Sequence, residues 1–275
     1  MVAIAMTREM GTLGKDVAQG IADQLDLQVI HHEVVEHDLA ERMGLQESAV
    51  HRYLEGDASL LERWRIDRQK LSRYTALEIL ELTQRGNVVI RGWGATALLR
   101  DVPNVLCVRV CAPMAFRERV MMERLGLKDA SVARREIEHS DAAHARIMQG
   151  VFGLDWKDPL LYHTVLNTGS IPVETCIRTL RLLTDDPAFQ ETAATRATLS
   201  DRLVAWRVRA ALSERYAGGL VGSGIEATVG NGRVALTGTC IQSQMRTEIE
   251  KFVRGIAGVK EVENRIIVVH GWSGV

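Results

Sequence analysis

Short apolar runs alternate with longer amphipathic stretches over the first part of the chain. The runs are rich in Val, Ile and Leu, residues that favour strands. They lie at residues 2–6, 27–30, 87–91, 105–110 and 165–166. Val17, Ile21 and Leu25 are spaced by four, which predicts a helix over residues 16–25, and a second clear helix is predicted at 173–183. Strands that alternate with helices predict an α/β fold whose parallel sheet carries helices on both faces.

The pattern changes after residue 183. Residues 184–200 are mostly small or polar, as in linkers. Beyond them a hairpin is predicted around Gly230-Asn231-Gly232, since Asn-Gly favours the tight turn that joins two strands. Its strands (225–229 and 234–237) are accompanied by predicted helices at 201–216 and 241–256 and a last strand at 261–269. We predict a domain at 1–185, a linker at 186–199 and a small α+β domain at 200–275.

Composition narrows the class of protein. The 275 residues are enough for two domains, and the net charge of −1 gives no electrostatic reason to expect a nucleic-acid partner. The N-terminal apolar run is too short for a secretory signal, and no apolar run approaches the roughly 20 residues of a membrane span. A cytoplasmic protein without a transmembrane segment is the expectation. The four cysteines form no CxxC pair, and Cys107 and Cys111, in an apolar run, are expected to be buried thiols.

A glycine-containing turn follows the first predicted strand. Residues 7–18 read TREMGTLGKDVA, so Gly11, Gly14 and Lys15 stand between a strand and a helix. A phosphate site needs backbone N–H groups that converge at a helix N-terminus, and glycines allow the required backbone angles. The Walker pattern is absent, because no glycine lies five residues before Gly14 and Asp16 occupies the Ser/Thr position. Taken alone, the segment predicts either a phosphate-binding turn or a plain strand-to-helix connection.

Four segments together resemble the cytidylate kinase-like branch of the P-loop nucleoside monophosphate kinases. They occur in that family's order and span roughly residues 1–183: TREMGTLGKDVA, HHEVVEHDLA, RGWGATALLRDVPNVLCVRVCAP and FGLDWKDPLLYHTVLNT. The resemblance implies the P-loop kinase fold. It also implies an ATP-dependent kinase that uses Mg²⁺ and phosphorylates CMP or dCMP.

The resemblance also implies roles for particular residues. Catalytic roles fall on Lys15, Arg117 and Arg135. Nucleotide phosphates would be bound by Arg8, Gly11, Thr12, Gly14, Lys15 and Asp16. The acceptor monophosphate side would be formed by Arg91, Gly92 and Gly94. No residue is expected to bind a metal directly, although Asp16 could hold magnesium through water.

Several positions depart from the family pattern. Leu13 replaces a glycine, Asp16 replaces the magnesium-binding hydroxyl, and His144 stands where an arginine is expected in a lid-like stretch at 128–146. A neutral imidazole would stabilise the transferred charge less than a guanidinium. These departures leave open a second interpretation, a nucleotide-binding sensor or scaffold with little or no turnover. Arg91 could likewise be a solvated arginine.

The segment HHEVVEH invites a zinc interpretation. His32 and His37 are five residues apart, however, whereas the HExxH motif places both histidines on one helix face at a spacing of four. We expect no metal site here.

The C-terminal segment resembles a BON domain. The stretches VALTGTC and GVKEVENRIIV carry the resemblance, together with the amphipathic helix before them. The resemblance implies a docking or regulatory module with a lipid or protein partner. A protein that acts chiefly as a lipid or envelope adaptor through this domain is the third interpretation.

Overall fold

The computed structural model describes residues 2–55, 66–92, 94–216 and 224–269. Contacts divide the chain into two compact units, Met1–Glu191 and Thr192–Val275. Among the described helices, none is both long and apolar enough to cross a membrane.

The N-terminal unit is built on a five-stranded sheet in which every pairing is parallel. Its strands follow the order β2-β3-β1-β4-β5. Their bounds are β1 Ala3–Arg8, β2 Gln28–Ile30, β3 Val88–Arg91, β4 Val105–Cys111 and β5 Thr164–Asn167. All five predicted strands are present, and the predicted α/β fold class is confirmed.

Helices connect the strands and cover both faces of the sheet. They are α1 Gly14–Leu25, α2 His32–Met43, α3 Glu47–Glu55, α4 Arg68–Arg85, α5 Ala95–Leu99, α6 Met114–Leu125, α7 Ala130–Ile147 and α8 Val173–Asp185. A π-helical turn, Met148–Phe152, extends α7. Short 3-10 turns occur at Pro159–Leu161 and Pro187–Phe189.

Side chains point alternately to the two faces of the central strands, which explains why the sheet has a buried core on each face. Ile4 and Met6 of β1 pack in one cluster with Val17 of α1 and Leu180 of α8. Because successive side chains of a strand point to opposite faces, Ala5 faces the other layer and is also fully buried. Burial on both faces is typical of parallel sheets, and it explains why the strands read as continuous apolar runs.

The parallel order places the ends of all five strands at one edge. The segments that follow β1, β2, β3, β4 and β5 therefore lie along this carboxyl edge. In open α/β sheets, ligands bind outside the carboxyl ends of the strands. The glycine-containing turn after β1 is thus in the position where a ligand crevice is expected.

The C-terminal unit has its own core and sheets. Its helices are α9 Ala193–Arg215 and α10 Ser243–Arg254. Its strands are β6 Glu226–Gly230, β7 Arg233–Thr237, β8 Thr239–Cys240, β9 Glu261–Asn264 and β10 Ile267–Val268. The strands form a β6-β7-β9 sheet and a β10-β8 pair. The single strand predicted at 261–269 is therefore two short strands, and each pairs with a different neighbour.

The segment predicted as a linker is largely helical. The α9 helix begins at Ala193, inside the predicted linker at 186–199, because Thr192 forms a capping box with Thr195. Small and polar residues such as Ala and Thr suit a capped helix start as well as a linker, so composition misplaced this boundary.

The predicted hairpin is present and is fastened to α9. Asn231 and Gly232 have φ angles of 54° and 79°, the left-handed geometry that this tight turn requires. The Asp201 carboxylate of α9 accepts hydrogen bonds from the backbone N–H groups of Asn231 and Gly232, at 2.6 and 2.8 Å. One helix side chain thus fixes the turn that sets the strand register.

Candidate active site

Close packing fixes the turn between β1 and α1. Gly11 has a φ angle of 78°, and a Cβ atom on it would lie 2.8 Å from the carbonyl oxygen of Arg117. A Cβ atom on Gly14 would lie 2.8 Å from Cβ of Arg8. Both contacts are too short for a side chain, so glycine is required at both positions. The sequence predicts that these glycines allow close approach between the backbone and a phosphate. In the structure, the residues that they approach closely are Arg117 and Arg8 of the protein itself.

Two threonine hydroxyls hold the turn from inside. The Thr12 hydroxyl donates to the carbonyl of Glu9 at 2.7 Å, and the Thr168 hydroxyl donates to the carbonyl of Thr12 at 2.5 Å. Thr168 follows β5, so this bond ties the turn to the far side of the sheet edge. Thr12 is buried, so its hydroxyl acts within the turn.

The first turn of α1 has N–H groups available for an anion. Leu13 caps α1 without a side-chain hydrogen bond, and its carbonyl accepts from the N–H groups of Asp16 and Val17. Among the hydrogen bonds of the described residues, none uses the backbone N–H of Gly11, Gly14 or Lys15 as donor. Free N–H groups at the positive end of a helix dipole form an anion site.

Leu13 adopts a backbone conformation that suits glycine. Its φ and ψ angles are 56° and 15°, in the left-handed region. This conformation costs a residue with a Cβ atom about 1–2 kcal/mol. The Leu13 side chain is half-buried, whereas the side chains of Lys15 and Asp16 are exposed at the start of the helix.

A buried ion network lies beneath the turn. Arg117 donates from Nη1 and Nη2 to both carboxylate oxygens of Asp141, at 2.9 and 2.7 Å, and from Nε to the carbonyl of Met10 at 2.7 Å. Glu9 lies 3.4 Å from Arg117 Nη1 and accepts from Arg109 at 2.5 Å. Two arginines and two carboxylates thereby neutralise one another below the turn.

This network corrects the role predicted for Arg117. The side chain is only 4% exposed and is already paired with two carboxylates, so it does not offer a free cation to a bound phosphate. Its geometry is that of a positioning residue, because it holds the Met10 carbonyl while its backbone packs against Gly11. No local pattern predicts this pairing, since both carboxylate partners are distant along the chain.

The lid-like stretch is a packed helix, and His144 lies on its inner side. The imidazole packs against the Trp156 indole at a ring-centroid distance of 4.3 Å. The Arg109 guanidinium lies over the same indole, 5.3 Å from the ring centroid. Burial lowers the pKa of His144 to about 4, with Arg109 and Arg8 lowering it further and Asp141 opposing them. His144 is therefore a neutral packing residue at pH 7.

The cations on the outer face of α7 remain exposed. Arg134 is paired with Glu118 of α6, and Arg135 is exposed beside it. Arg135 is thus the accessible cation among the predicted catalytic arginines, and its role stays a prediction. The Asp129 carboxylate caps α7 at the N–H of Ser131, which lowers the pKa of that carboxyl.

The residues predicted to form the binding site of the acceptor monophosphate have surroundings that differ from the prediction. Arg91 is 7% exposed and hydrogen-bonded through Nη2 to Nδ1 of His31 at 2.8 Å, so it is not a solvated arginine. The space expected next to Gly94 is filled, because a Cβ atom there would lie 2.3 Å from the Phe152 ring. Gly92 has a φ angle of 98° and lets the chain turn after β3.

Comparison with known proteins identifies the N-terminal unit. Residues 3–170 match the model of the cytidylate kinase-like family, and residues 200–270 match that of the BON domain. The chain belongs to the cytidylate kinase-like family. The family match covers the turn after β1, the ion network and the whole of α7.

Individual relatives agree with this assignment. The cytidylate kinase of Pyrobaculum aerophilum is 25% identical over 178 residues, which cover 65% of this chain and 90% of that protein. The cytidylate kinase of Pyrobaculum arsenaticum is 23% identical over the same shares. The crystal structure of an uncharacterized protein from Eubacterium ventriosum is 19% identical, with a TM-score of 0.53 over 68% of this chain and 99% of that one. The structural likeness supports the fold alone.

The cytidylate kinase-like site has groups suited to a magnesium–nucleotide complex. The N–H groups of Gly11, Gly14 and Lys15, which donate to no described residue, suit phosphate oxygens, as does the exposed Lys15 ammonium. The Asp16 carboxylate, in the first turn of α1, suits a hydrated cation. At the histidine segment, the potential ligand atoms of His37, Asp38 and Glu41 lie within 4.8 Å of one another, a grouping that differs from the HExxH pair. His37 is exposed and pairs with Glu47 at 3.2 Å, and the side chain of His32 lies outside the described residues.

We expect Leu13→Gly to tighten ATP binding without loss of stability. Glycine relieves the left-handed strain at this position, although its freedom in the unfolded chain offsets part of the gain. The melting temperature should stay equal or rise by roughly 2–4 °C, and ATP should raise it further than in wild type. Leu13→Ala is the control, since it shortens the side chain but keeps the strain. A large fall in melting temperature for Leu13→Gly would contradict this account.

The His144 imidazole, half-buried with its Nε2 atom shielded from solvent, should make the N-terminal unit acid-sensitive. Between the unfolded pKa near 6.5 and the folded value of about 4, the unfolded chain binds a proton that the folded chain does not. This contribution to stability is present above pH 6.5 and is lost as the pH falls toward 4, by up to about 3 kcal/mol.

Urea unfolding followed by circular dichroism at pH 7 and pH 5 measures this effect. In His144→Phe the loss between the two pH values should be smaller than in wild type, because the titrating group is gone. His37→Gln is the control, since His37 is exposed and its pKa is raised by Glu47, so the acid loss should persist. Equal pH dependence in wild type and His144→Phe would show that His144 is not the titrating group.

Proposed function

We propose that the protein is an ATP-dependent nucleoside monophosphate kinase that acts on CMP or dCMP. The observation that carries the proposal is the set of N–H groups at Gly11, Gly14 and Lys15, which donate to no described residue and lie at the N-terminus of α1 on the carboxyl edge of a parallel sheet. Family membership supports a phosphotransferase. The choice of CMP or dCMP rests on relatives that are named cytidylate kinases and share 25% identity or less.

The reaction needs positioning and charge stabilisation rather than a protein nucleophile. A phosphate oxygen of the acceptor nucleotide attacks the γ-phosphorus of ATP; a new P–O bond forms as the bond to the β–γ bridging oxygen breaks. ADP leaves with the electron pair of that bond. The N–H groups after β1 would bind the β- and γ-phosphate oxygens. Lys15 would stabilise the charge that develops on them.

Other residues of the site act less directly. Magnesium, when bound with ATP, would screen the phosphate charges, and Asp16 would hold its hydration shell. Arg135 is exposed on α7 and is the arginine proposed to approach the transferred phosphoryl group. Arg8 backs the turn, since its side chain packs against Gly14. Arg117 would act only through the position of Met10 and Gly11.

A nucleotide-binding sensor without turnover is the second candidate. Three observations favour it: Leu13 is strained at a glycine position, Arg117 is neutralised by Glu9 and Asp141, and His144 is half-buried and neutral. Each of these features removes a backbone geometry or a free cation that would help phosphoryl transfer. None of them engages the backbone N–H groups of the turn, which can still bind a nucleotide. Binding without chemistry is the behaviour expected of such a site.

Kinetic assays with CMP, dCMP, UMP and AMP test the catalytic proposal. We expect ADP formation with CMP or dCMP, and Lys15→Ala should lower kcat/KM by roughly 100-fold because a charge on the transition state is lost. Lys251→Ala, an exposed lysine on α10, is the matched control and should leave the rate unchanged.

Thermal stabilisation by ATP separates the two candidates. ADP formation supports the kinase. A rise in melting temperature with ATP, without turnover of any of the four acceptors, supports the sensor. Neither turnover nor stabilisation would overturn both.

We also propose that the BON unit is a docking or regulatory module. Its separate core and sheets support an independent role beside the kinase unit. If the partner of this module is a protein, the full chain should not sediment with phosphatidylglycerol vesicles, and the vesicles should not change its kinase rate. Co-sedimentation, measured against bovine serum albumin as a non-binding control, would favour the lipid or envelope adaptor instead.

A further inference from the structure

A cleft lies in the N-terminal unit, and none of its described lining residues belongs to the turn after β1. Its cavity volume is about 70 Å³. We call it the arginine cleft, and its described lining consists of Tyr53, Arg68, Ala143, Arg146, Ile147, Gly150 and Val151. The end of α3, the first residue of α4, the last turn of α7 and the π-helical turn form its walls.

Among the described residues that line the cleft, two are arginines and none is acidic. Within the described part of the chain, no ion pair or hydrogen bond engages the guanidinium of Arg68 or of Arg146. Elsewhere in this unit, Arg42, Arg109 and Arg117 are each paired with carboxylates. Unpaired positive charge in one concavity is therefore a local property of this cleft.

The nearest acid in sequence does not neutralise it. Asp67 precedes Arg68, but its carboxylate accepts from the N–H groups of Gln69 and Lys70, at 2.8 and 3.1 Å, and thereby caps α4. Tyr53 adds a further polar group: its side chain is 8% exposed, and its hydroxyl has no partner among the described residues.

The π-helical turn gives the arginines their backing. A Cβ atom on Gly150 would lie 3.7 Å from Nη1 of Arg68, so this guanidinium lies over the backbone of the turn. Turns of this kind are rare and are frequent at functional sites. Phe152, at the end of the same turn, packs on Gly94 after β3 and closes the side where the acceptor phosphate was expected.

Two guanidinium groups and a hydroxyl suit a compact dianion. Guanidinium groups donate paired hydrogen bonds to phosphate oxygens, and a dianion removes the repulsion between two like charges. The remaining lining, Ala143, Ile147 and Val151, is apolar and offers no competing acceptor side chain.

We propose that the arginine cleft binds a phosphate monoester through Arg68, Arg146 and Tyr53. The site is additional to the N–H groups after β1 and to Arg91, which is already engaged by His31. The monoester could be the acceptor nucleotide or another phosphorylated metabolite. Assignment to the acceptor rests on the proposed kinase function, whereas the anion site itself does not.

Isothermal titration of the full chain with CMP, cytidine and inorganic phosphate tests the proposal. Wild type should bind CMP and phosphate but not cytidine. Arg68→Ala and Arg146→Ala should each weaken binding roughly tenfold, and the double variant should lose it, because each guanidinium supplies charge-assisted hydrogen bonds. Binding of ATP should be unchanged in all three variants. Arg124→Ala, an exposed arginine at the end of α6, is the matched control and should behave as wild type.

The outcomes separate the two sources of the ligand. Loss of both CMP and phosphate binding, with a raised KM for CMP, assigns the cleft to the acceptor. Loss of phosphate binding with an unchanged KM for CMP assigns it to another phosphorylated ligand. Wild-type affinity in the double variant, or no binding of either anion to wild type, overturns the proposal. Absence of turnover together with anion binding that the variants abolish would refute the kinase function but not the cleft.

Discussion

The buried ion network under the first turn is the constraint on which the candidate site depends. Arg117 binds Asp141 through two hydrogen bonds and approaches Glu9, while its backbone leaves no room for a side chain at Gly11. Removal of one partner from such a buried pair typically costs about 3–5 kcal/mol, because the other charge is stranded. The turn is therefore set before any ligand arrives, and its N–H groups need little reorganisation to meet an anion.

The same network explains why the lid-like stretch at 128–146 contains a helix that packs against its neighbour. Asp141 belongs to α7, and its bond to Arg117 of α6 ties the two helices together. His144, one turn later, packs against Trp156 and stays neutral. An arginine at this position would bring a third cation close to Arg109, so the imidazole fits the charge already present. The consequence of that packing is a neutral side chain at position 144.

The local pattern of apolar residues was sufficient to predict the sheet. It failed for side chains whose contacts are made with residues far away in the sequence. Each strand of the N-terminal unit is buried on both faces and reads as an apolar run, which needs no knowledge of its neighbours. The pairing of Arg91 with His31 and the packing of Phe152 on Gly94 join residues from distant segments, and no periodicity marks them. The start of α9 was missed for a different reason: Thr192 and Thr195 act as a cap, whereas composition alone reads them as linker.

Charge is distributed unevenly in a chain that is nearly neutral overall. The net charge of −1 conceals buried pairs that cancel locally and a cleft whose two arginines have no such partners. Burial forces neutralisation, since an unpaired charge removed from water is costly. Exposed Arg68 and Arg146 escape that requirement and stay available. Arginines that the fold does not need for its own neutrality are the ones best able to recognise a ligand, whereas Arg117, fully engaged, is better suited to hold the site in shape.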